Sequence, residues 1–278
     1  MKTLYVSDMD GTLLGPDSLV SPTTAEIITS LSRRGALITV ATARTPATVV
    51  PLLADTLTLP PAIVMTGAAT WDRDRQSYGN VSFLSEDERH DVAAVCQEAG
   101  LHPFVYVPEG DNKLAVYHDG NCLSSMEQDF YNARAHLTLK HFCLQYRVPE
   151  DRRTILWYAM GDHEPIFAAA EELRRRCNLS MSCYYDIFDR KKAHLEIFTH
   201  GVSKAAAVSR MKEQLGADRV VVFGDNLNDI PMMTVADCAV AVGNAFDEVK
   251  AAADIVIGPN NEDSVPRFIL SDYASNLL

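Results

Sequence analysis

Residues 8–13 read DMDGTL and follow directly on the apolar residues 4–6, LYV. Two carboxylates, Asp8 and Asp10, therefore stand where a buried strand opens into a turn that the glycine permits. Ligands of open α/β sheets bind beyond the carboxyl ends of the parallel strands, so this strand tip predicts an enzyme site. Two carboxylates this close raise each other's pKa unless a cation neutralises them, and Mg2+ suits such hard oxygen ligands. An Asx-type turn or a helix cap is the alternative interpretation of the same residues.

Predicted strands and helices alternate through the first 80 residues. Ser21 and Pro22 are typical of a helix N-cap and first helical position, and Thr45-Pro46 begins a second helix. Apolar strands are predicted at 36–42 and 62–65, and after residue 204 the alternation returns with strands at 220–223, 239–242 and 255–257. This order predicts a parallel sheet with right-handed crossovers and helices on both faces.

The pattern changes near residue 83. The predicted elements there are a helix opened by the capping box at 85–88, strands at 104–107 and 114–117, a helix at 125–133, a strand at 154–160, a helix at 164–177, and strands at 181–187 and 194–198. We therefore expect an α/β fold, in which a Rossmann-like doubly wound parallel-sheet core carries an inserted α+β domain. The core is predicted at 1–83 and 191–278, and the insert at 84–190.

Composition and charge restrict the kind of protein. The 278 residues are 47% hydrophobic and 22% charged, which is typical of a globular protein with one large domain or two. The formal net charge of −12 argues against a nucleic-acid surface, because such a surface needs a basic stripe. An anionic ligand would need local positive charge, which Lys204, Arg44, a metal ion and helix N-termini are able to supply.

The cysteines and the N-terminal residues give an expectation about location. Six cysteines are scattered without a Cys-x-x-Cys pair or a histidine at zinc-finger spacing, which favours free thiols over a zinc site. No apolar run reaches the ~18 residues of a membrane helix, and Asp8 interrupts any signal-peptide core. We expect a cytoplasmic protein that does not act at a membrane.

Four segments at predicted strand tips or helix starts occur in a recognisable order. They are DMDGTL at 8–13, ATAR at 41–44, GVSK at 201–204 and GDNLND at 224–229. In this order they resemble the four motifs of the haloacid dehalogenase-like hydrolase superfamily. The late stretches VGNA at 242–245 and NNED at 260–263 resemble its Cof-type phosphatase branch, whose cap, of type IIB, is similar in element order to the insert.

The resemblance implies roles for the acidic residues. Asp8 would attack phosphorus and become an aspartyl phosphate, and Asp10 would protonate the leaving group and then activate water. Mg2+ would be held by the Asp8 carboxylate, the main-chain carbonyl of Asp10 and Asp225, with Asp229 holding a metal-bound water. An N-cap for the helix at Ile230 is a second interpretation of Asp229.

The resemblance also implies how phosphate is bound. The Thr42 hydroxyl and the backbone amides of Met9 and Ala43 would cradle it, joined by Lys204 and the Asn228 amide. Lys204 follows a predicted Ser203 N-cap, where the helix end favours an anion, although an exposed lysine is ordinarily just solvated.

Arg44 has two interpretations. It would contact the phosphate or a second anionic group of the substrate, or it forms a surface ion pair. Two positions depart from the family pattern: Ala43 stands where glycine is usual, and Thr66 where many relatives have asparagine.

The sequence thus predicts a Mg2+-dependent phosphatase acting on a small phosphorylated metabolite, such as a sugar phosphate or a phosphorylated cofactor. A phosphomutase of the same superfamily and a non-enzymatic phosphometabolite sensor are the alternatives. A P-type pump is excluded, because it has lysine-threonine after the nucleophile and long membrane spans. Several polar residues of the insert are candidate substrate contacts or simple surface residues: Tyr184, Tyr185, Arg190, Lys191 and His194. The oligomeric state is not predicted.

Overall fold

The chain forms two compact units in the computed structural model, which describes residues 1–186 and 188–275. The core unit comprises Met1–Gly79 and the chain from Ser203 on, and the inserted unit is Asn80–Val202. The inserted unit begins earlier and ends later than the predicted 84–190, and the difference is larger at its second boundary. The reason is the strand Lys192–Phe198, which pairs on both sides with strands of the inserted unit.

The elements are numbered along the chain. The core unit begins with β1 (Thr3–Ser7), α1 (Pro22–Arg33), β2 (Leu37–Val40), α2 (Pro46–Leu52), β3 (Ala62–Val64), β4 (Ala69–Asp72) and β5 (Ser77–Gly79). The inserted unit contains α3 (Glu86–Glu98), β6 (Phe104–Glu109), β7 (Lys113–His118), α4 (Ser125–Asn132), β8 (Lys140–Leu144), β9 (Leu156–Asp162), α5 (His163–Arg176), β10 (Ser180–Tyr185) and β11 (Lys192–Phe198). The core unit resumes with α6 (Lys204–Leu215), β12 (Arg219–Gly224), α7 (Ile230–Thr234), β13 (Cys238–Ala241), α8 (Asp247–Ala252), β14 (Ile255–Val256) and α9 (Ser264–Ser275).

The core unit is built on a parallel sheet of strand order β14-β13-β12-β1-β2. All five residues of β1 are buried, as expected for a central parallel strand covered on both faces. In the register, Ser7 lies opposite Phe223 on one side and Val40 on the other. The residues that follow these three strands therefore emerge at one edge of the sheet, and they include Asp8. The predicted α/β class is confirmed.

The third predicted strand, 62–65, has a different partner from the one expected. β3 pairs antiparallel with β4, and β4 with β5, in a separate three-stranded sheet. A single parallel bridge between Ala41 and Ile63 connects β3 to the end of β2. The sequence prediction missed β4 and β5, which are short and carry one cross-strand aromatic pair, Trp71 and Tyr78, at 4.9 Å between ring centroids.

The inserted unit contains a six-stranded sheet of order β10-β11-β9-β6-β7-β8. Its strands are antiparallel except for the β7–β8 pair. Buried residues of α3 and α5 pack with β9 and β11 in one hydrophobic core that includes Val92, Val95, Leu173 and Leu195. The predicted capping box of α3 is present, with Ser85 and Glu88 bonding reciprocally. β8 was not predicted, and the predicted strand at 181–187 ends at Tyr185; Ile187 lies outside the described residues.

The six cysteines are all free thiols, and two of them, Cys96 and Cys238, are buried. Within 1–186 and 188–275, no helix combines the length and the apolar character needed to cross a membrane.

Lys140 is a buried cation at the start of β8. It is only 5% exposed, and its ammonium lies 5.6–6.0 Å from the ring centroids of Tyr106, Phe130 and Phe142. No carboxylate among the described residues forms a salt bridge with it. Burial lowers the pKa of Lys140 to about 7, and the nearby charge of Arg134 lowers it further. Burial thus disfavours the charged form of Lys140, whereas the faces of the three aromatic rings favour it.

This lysine predicts a pH-dependent stability. An unfolded lysine titrates near pH ~10.4, so between pH 7 and that value the unfolded chain binds more protons than the folded one. Stability therefore rises with pH in this window, by up to about 1.4 kcal/mol per pH unit from this group. Lys140→Met should remove that slope and stabilise the inserted unit near pH 7.

Urea unfolding of wild type and of Lys140→Met at pH 7, 8 and 9 gives the free energy of unfolding at each pH. The difference between the two proteins in its pH dependence is the contribution of Lys140. Lys113→Met is the matched control, because Lys113 is an exposed lysine on the neighbouring strand β7. Equal pH slopes in Lys140→Met and wild type would contradict the assignment.

Candidate active site

Asp8 lies at the carboxyl end of β1, where its backbone N–H donates to the Phe223 carbonyl at 2.9 Å. This bond continues the β1–β12 pairing by one residue and fixes the direction of the chain at the strand tip. The side chain is 7% exposed. A carboxylate held this rigidly at a sheet edge is suited to act as a nucleophile or a metal ligand.

Lys204 joins two of the buried carboxylates. Its Nζ donates to Asp8 Oδ1 and to Asp229 Oδ1, each at 2.7 Å, and the lysine is 2% exposed. α6 begins at this residue, and the Ser203 side chain caps the helix by accepting from the Ala206 N–H. The predicted cap is therefore present, but Lys204 is a buried cation and not a solvated one.

The approach of α6 to the sheet depends on Gly67. This residue has φ +97°, and a Cβ there would clash with the Ser203 carbonyl. The two residues before it, Met65 and Thr66, also have positive φ, 48° and 57°. Positive φ is unusual for a β-branched residue, and backbone strain of this kind clusters at functional sites. Asparagine tolerates this conformation better than threonine does.

The strained segment supports the chain after β2. The Thr66 N–H donates to the Thr42 carbonyl and the Met65 N–H to the Arg44 carbonyl, each at 3.0 Å. The Arg44 N–H in turn donates to the Thr42 hydroxyl oxygen at 3.1 Å. The ATAR segment is thus held by backbone bonds from the turn that follows β3.

The charges of the cluster are strongly coupled. Burial raises the pKa of Asp8 to about 7; the Lys204 charge opposes this, and the Asp229 charge adds to it. For Lys204, burial lowers the pKa, but the Asp8 and Asp229 carboxylates outweigh it and raise the pKa above its ordinary value. Lys204 is therefore positively charged throughout the physiological pH range.

Asp229 is fully buried and bonds in two directions. One oxygen accepts from Lys204, and the other accepts from the backbone N–H groups of Asp225 and Asn226, both at 3.1 Å. Asp229 occupies the N-cap position of α7, but its side chain makes no capping hydrogen bond there. Asp229 instead closes the turn after β12 and ties it to the lysine.

Asp225 lies against the first motif. Its Oδ1 accepts a hydrogen bond from the Thr12 hydroxyl at 2.6 Å. Gly11 has φ +76°, and a Cβ there would clash with the Asp225 carboxylate, so only glycine permits this approach. Burial raises the pKa of Asp225 to about 6, although the Thr12 bond opposes the shift. Sequence reasoning gave Thr12 no role, and its place directly after the glycine was the available signal.

Three carboxylates therefore converge. One oxygen each of Asp8, Asp225 and Asp229 lies within 4.8 Å of the others. Lys204 is the cation that bonds two of them, so the cluster carries more negative than positive charge. This donor set of hard oxygens fits a divalent cation such as Mg2+, which would balance the remaining charge.

Asp10 points to a different partner. Both of its oxygens accept from Arg44, at 2.7 Å from Nε and 2.5 Å from Nη2. The Asp10 side chain is 52% exposed, and that of Arg44 is 27% exposed. The hydrogen bond to Asp10 raises the pKa of Arg44. Of the two interpretations of Arg44, the structure has the ion pair, and its partner is a predicted catalytic residue.

The remaining predicted phosphate-binding residues lie at the same edge of the sheet. Thr42 and Met9 are buried, whereas Ala43 and Asn228 are exposed. A hydrogen bond with the Met9 backbone lowers the pKa of Asp8, so this group already contacts the proposed nucleophile. The sequence did not predict a further contact, in which the Asn244 side-chain amide donates to the Gly11 carbonyl at 2.7 Å. This bond helps to hold the first motif in place.

Comparison with known proteins agrees with this geometry. The family model for haloacid dehalogenase-like hydrolases matches residues 5–269. The chain is 26% identical to the 5-amino-6-(5-phospho-D-ribitylamino)uracil phosphatase YitU of Bacillus subtilis, covering 98% of this chain and 97% of that protein. It is 25% identical to the pyridoxal phosphate phosphatase YbhA of Escherichia coli, covering 95% and 96%.

Solved structures share the fold along the whole chain. A sugar phosphatase of haloacid dehalogenase subclass IIB superposes with a TM-score of 0.75 at 22% identity and 99% coverage of both chains. The structure of TM0651 from Thermotoga maritima gives 0.77 at 21% identity, covering 98% of this chain and 97% of that one. The chain belongs to the haloacid dehalogenase-like hydrolase family, as a phosphatase of its Cof-type branch.

Proposed function

We propose that this enzyme, a phosphoric monoester hydrolase, is Mg2+-dependent and hydrolyses small phosphorylated metabolites through an aspartyl phosphate at Asp8. The observation that carries the proposal is the buried cluster in which Lys204 bonds Asp8 and Asp229 while Asp225 lies beside them. Phosphoryl transfer needs a positioned nucleophile and neutralisation of the phosphoryl oxygens. The cluster offers a carboxylate for the first task and a buried ammonium for the second.

Mg2+ would be held by the carboxylates of Asp8 and Asp225, with the main-chain carbonyl of Asp10 as the third protein ligand. When bound, the ion would neutralise charge on the phosphoryl oxygens and on the acids around it. Asp229 keeps Lys204 and the turn 225–226 in place, so its role is to position both the cation and Asp225. The Thr12 hydroxyl orients the Asp225 carboxylate.

The reaction itself uses two carboxylates in turn. An oxygen of Asp8 forms a bond to phosphorus as the bond to the leaving alkoxide breaks, and Asp10 gives that alkoxide its proton. Asp10 then takes a proton from the water that cleaves the aspartyl phosphate and releases inorganic phosphate. Since Arg44 engages both oxygens of Asp10, the ion pair must loosen for Asp10 to carry a proton. The freed guanidinium, with Thr42, Ala43 and Asn228, then faces the phosphate.

The names of three relatives support the proposed substrate class. The curated relatives are named as phosphatases of 5-amino-6-(5-phospho-D-ribitylamino)uracil, pyridoxal phosphate and HMP-PP, all of them small compounds. We place the substrate of this enzyme among phosphorylated sugars and phosphorylated cofactor precursors, with selectivity supplied by the inserted unit. A net charge of −12 and six free thiols support a cytoplasmic enzyme that does not use nucleic acid or membranes as partners.

Asp8→Asn tests the nucleophile. An amide cannot form the aspartyl phosphate, so phosphate release from p-nitrophenyl phosphate and from sugar phosphates and pyridoxal phosphate should fall by about four to six orders of magnitude. Asp55→Asn is the control, because Asp55 is an exposed aspartate of the same unit. Hydrolysis by Asp8→Asn at the wild-type rate would refute the assignment, and isomerisation without phosphate release by the wild type would favour a mutase.

Asp10→Asn tests the proton shuttle. The amide keeps the main-chain carbonyl but not the proton, so kcat should fall by about 10²- to 10⁴-fold. The stabilisation by Mg2+ in thermal unfolding should remain that of wild type. Near-normal kcat would remove the acid–base role from Asp10.

Metal removal tests the dependence on Mg2+. Chelation should abolish phosphate release, and added Mg2+ should restore it. Because a ligand that binds only the folded state raises stability by mass action, Mg2+ should also raise the melting temperature of wild type. Asp225→Asn should lose most of that increase, whereas Asp55→Asn should keep it. An Asp225→Asn variant that is stabilised by Mg2+ as strongly as wild type would exclude Asp225 as a ligand.

A further inference from the structure

A cavity of about 700 Å³ lies within the inserted unit, formed only by residues between 86 and 157. This volume is in the range of small-molecule sites, roughly 300–1,000 Å³. It is lined by α3, by the segment 146–150 and, from the sheet, by Val105 and Trp157, which we call the floor. It shares no residue with the aspartate cluster of the core unit, so the proposed hydrolysis gives it no role.

The helix α3 presents a separate face to this cavity. The lining positions Glu86, His90, Ala93 and Gln97 recur at spacings of three or four, which places them along one stripe of the helix. The hydrophobic stripe, with Val92 and Val95, packs in the core instead. Ala93 is small, so the middle of the cavity-facing stripe leaves space open.

Arg89 brings an unsatisfied donor to the cavity. Its Nη1 donates to the Arg152 carbonyl at 2.8 Å, but its Nε is enclosed and has no hydrogen-bond partner. No carboxylate among the described residues forms a salt bridge with Arg89. A guanidinium without a carboxylate partner is available to bind an anionic ligand.

The acidic residues at the cavity do not neutralise Arg89. Glu86, Asp119 and Glu150 are all exposed at its rim. Asp119 already bonds His102 at 3.0 Å and lies 3.6 Å from the Arg147 guanidinium. The enclosed charge of the cavity is therefore positive.

The floor is aromatic and apolar. The indole N–H of Trp157 donates to the Thr154 hydroxyl at 3.0 Å, so its hydrogen bond is satisfied and its ring remains as a contact surface. Tyr117, Leu101 and Val105 extend this surface. A flat ring is favoured on such a floor, and an acceptor oxygen is favoured at Arg89.

We propose that the inserted unit contains a second ligand site, which binds a small aromatic carboxylate between Arg89 and the floor around Trp157. The carboxylate accepts from the guanidinium, and the ring lies over the apolar floor beside Ala93. The site is independent of the proposed function, because every residue that forms it belongs to the inserted unit.

The two tryptophans of the chain allow a direct test. Trp157 lines the cavity, whereas Trp71 is 1% exposed in the core unit. Protein labelled with ¹⁵N at the indole nitrogens is titrated with benzoate and salicylate, and with benzamide and benzylamine as neutral and cationic counterparts. Trp71→Phe assigns the two indole signals. We expect saturable shifts of the Trp157 signal with the carboxylates, binding at least about tenfold weaker for the counterparts, and no shift of Trp71.

Two variants locate the binding. Ala93→Leu fills the cavity and should abolish the Trp157 shift, whereas Ala94→Leu adds the same volume at a helix position that does not line it. Arg89→Met keeps the length of the side chain. It should weaken the binding of the carboxylate ligands by about tenfold and leave the binding of benzamide unchanged. It tests the site even if Ala93→Leu does not fold, and indole signals at wild-type positions without ligand report folding.

Several results would overturn the proposal. They are the absence of a Trp157 shift with both carboxylates, equal shifts with benzylamine, equal affinity in Arg89→Met, and shifts that Ala93→Leu leaves unchanged. A Trp157 shift that depends on protein concentration without any ligand would assign the cavity to a second copy of the chain. None of these readouts involves phosphate release, so they are separate from the tests of the proposed function.

Discussion

The buried ammonium of Lys204 between Asp8 and Asp229 is the interaction on which the rest of the core unit depends. Three charged groups that are at most 7% exposed are tolerated only because they bond one another at 2.7 Å. Removal of Lys204 would leave two buried carboxylates without their cation, which is more costly than a lost surface ion pair. The bond also joins distant parts of the chain, since Asp8 follows β1, Asp229 directly precedes α7 and Lys204 begins α6.

This requirement explains the backbone around the site. α6 is close enough for Lys204 to bond Asp8 because Gly67 has no side chain, and the turn that contains Gly67 is strained at Met65 and Thr66. The same turn donates two hydrogen bonds to the ATAR segment, which carries Arg44 to Asp10. Strain at 65–66 thus contributes to two parts of the site: the lysine–carboxylate cluster and the Asp10–Arg44 pair.

The sequence predicted those parts of the site whose structure is decided by the local sequence pattern. An apolar run ending in carboxylates located Asp8 at a strand tip, and a serine before Lys204 located a helix start. Interactions between distant residues were not predictable in this way, such as the Thr12–Asp225 bond and the Asp10–Arg44 pair. The second boundary was predicted near 190 and lies at 202 for the same reason, because β11 belongs to the insert through its partners β9 and β10 and not through its own residues.

The chemistry of the cluster limits what it is able to recognise. Carboxylates around a lysine address a phosphoryl group, which every phosphate monoester carries, and they include no group that distinguishes a pyridoxal from a ribitylaminouracil. YitU and YbhA, at 26% and 25% identity to this chain, are named for substrates that differ in this respect. Selection of the leaving group must therefore come from side chains outside the cluster. A unit inserted between β5 and α6 is free to change its surface for that purpose, because none of its residues contributes to the bonds that hold Asp8, Lys204 and Asp229 together.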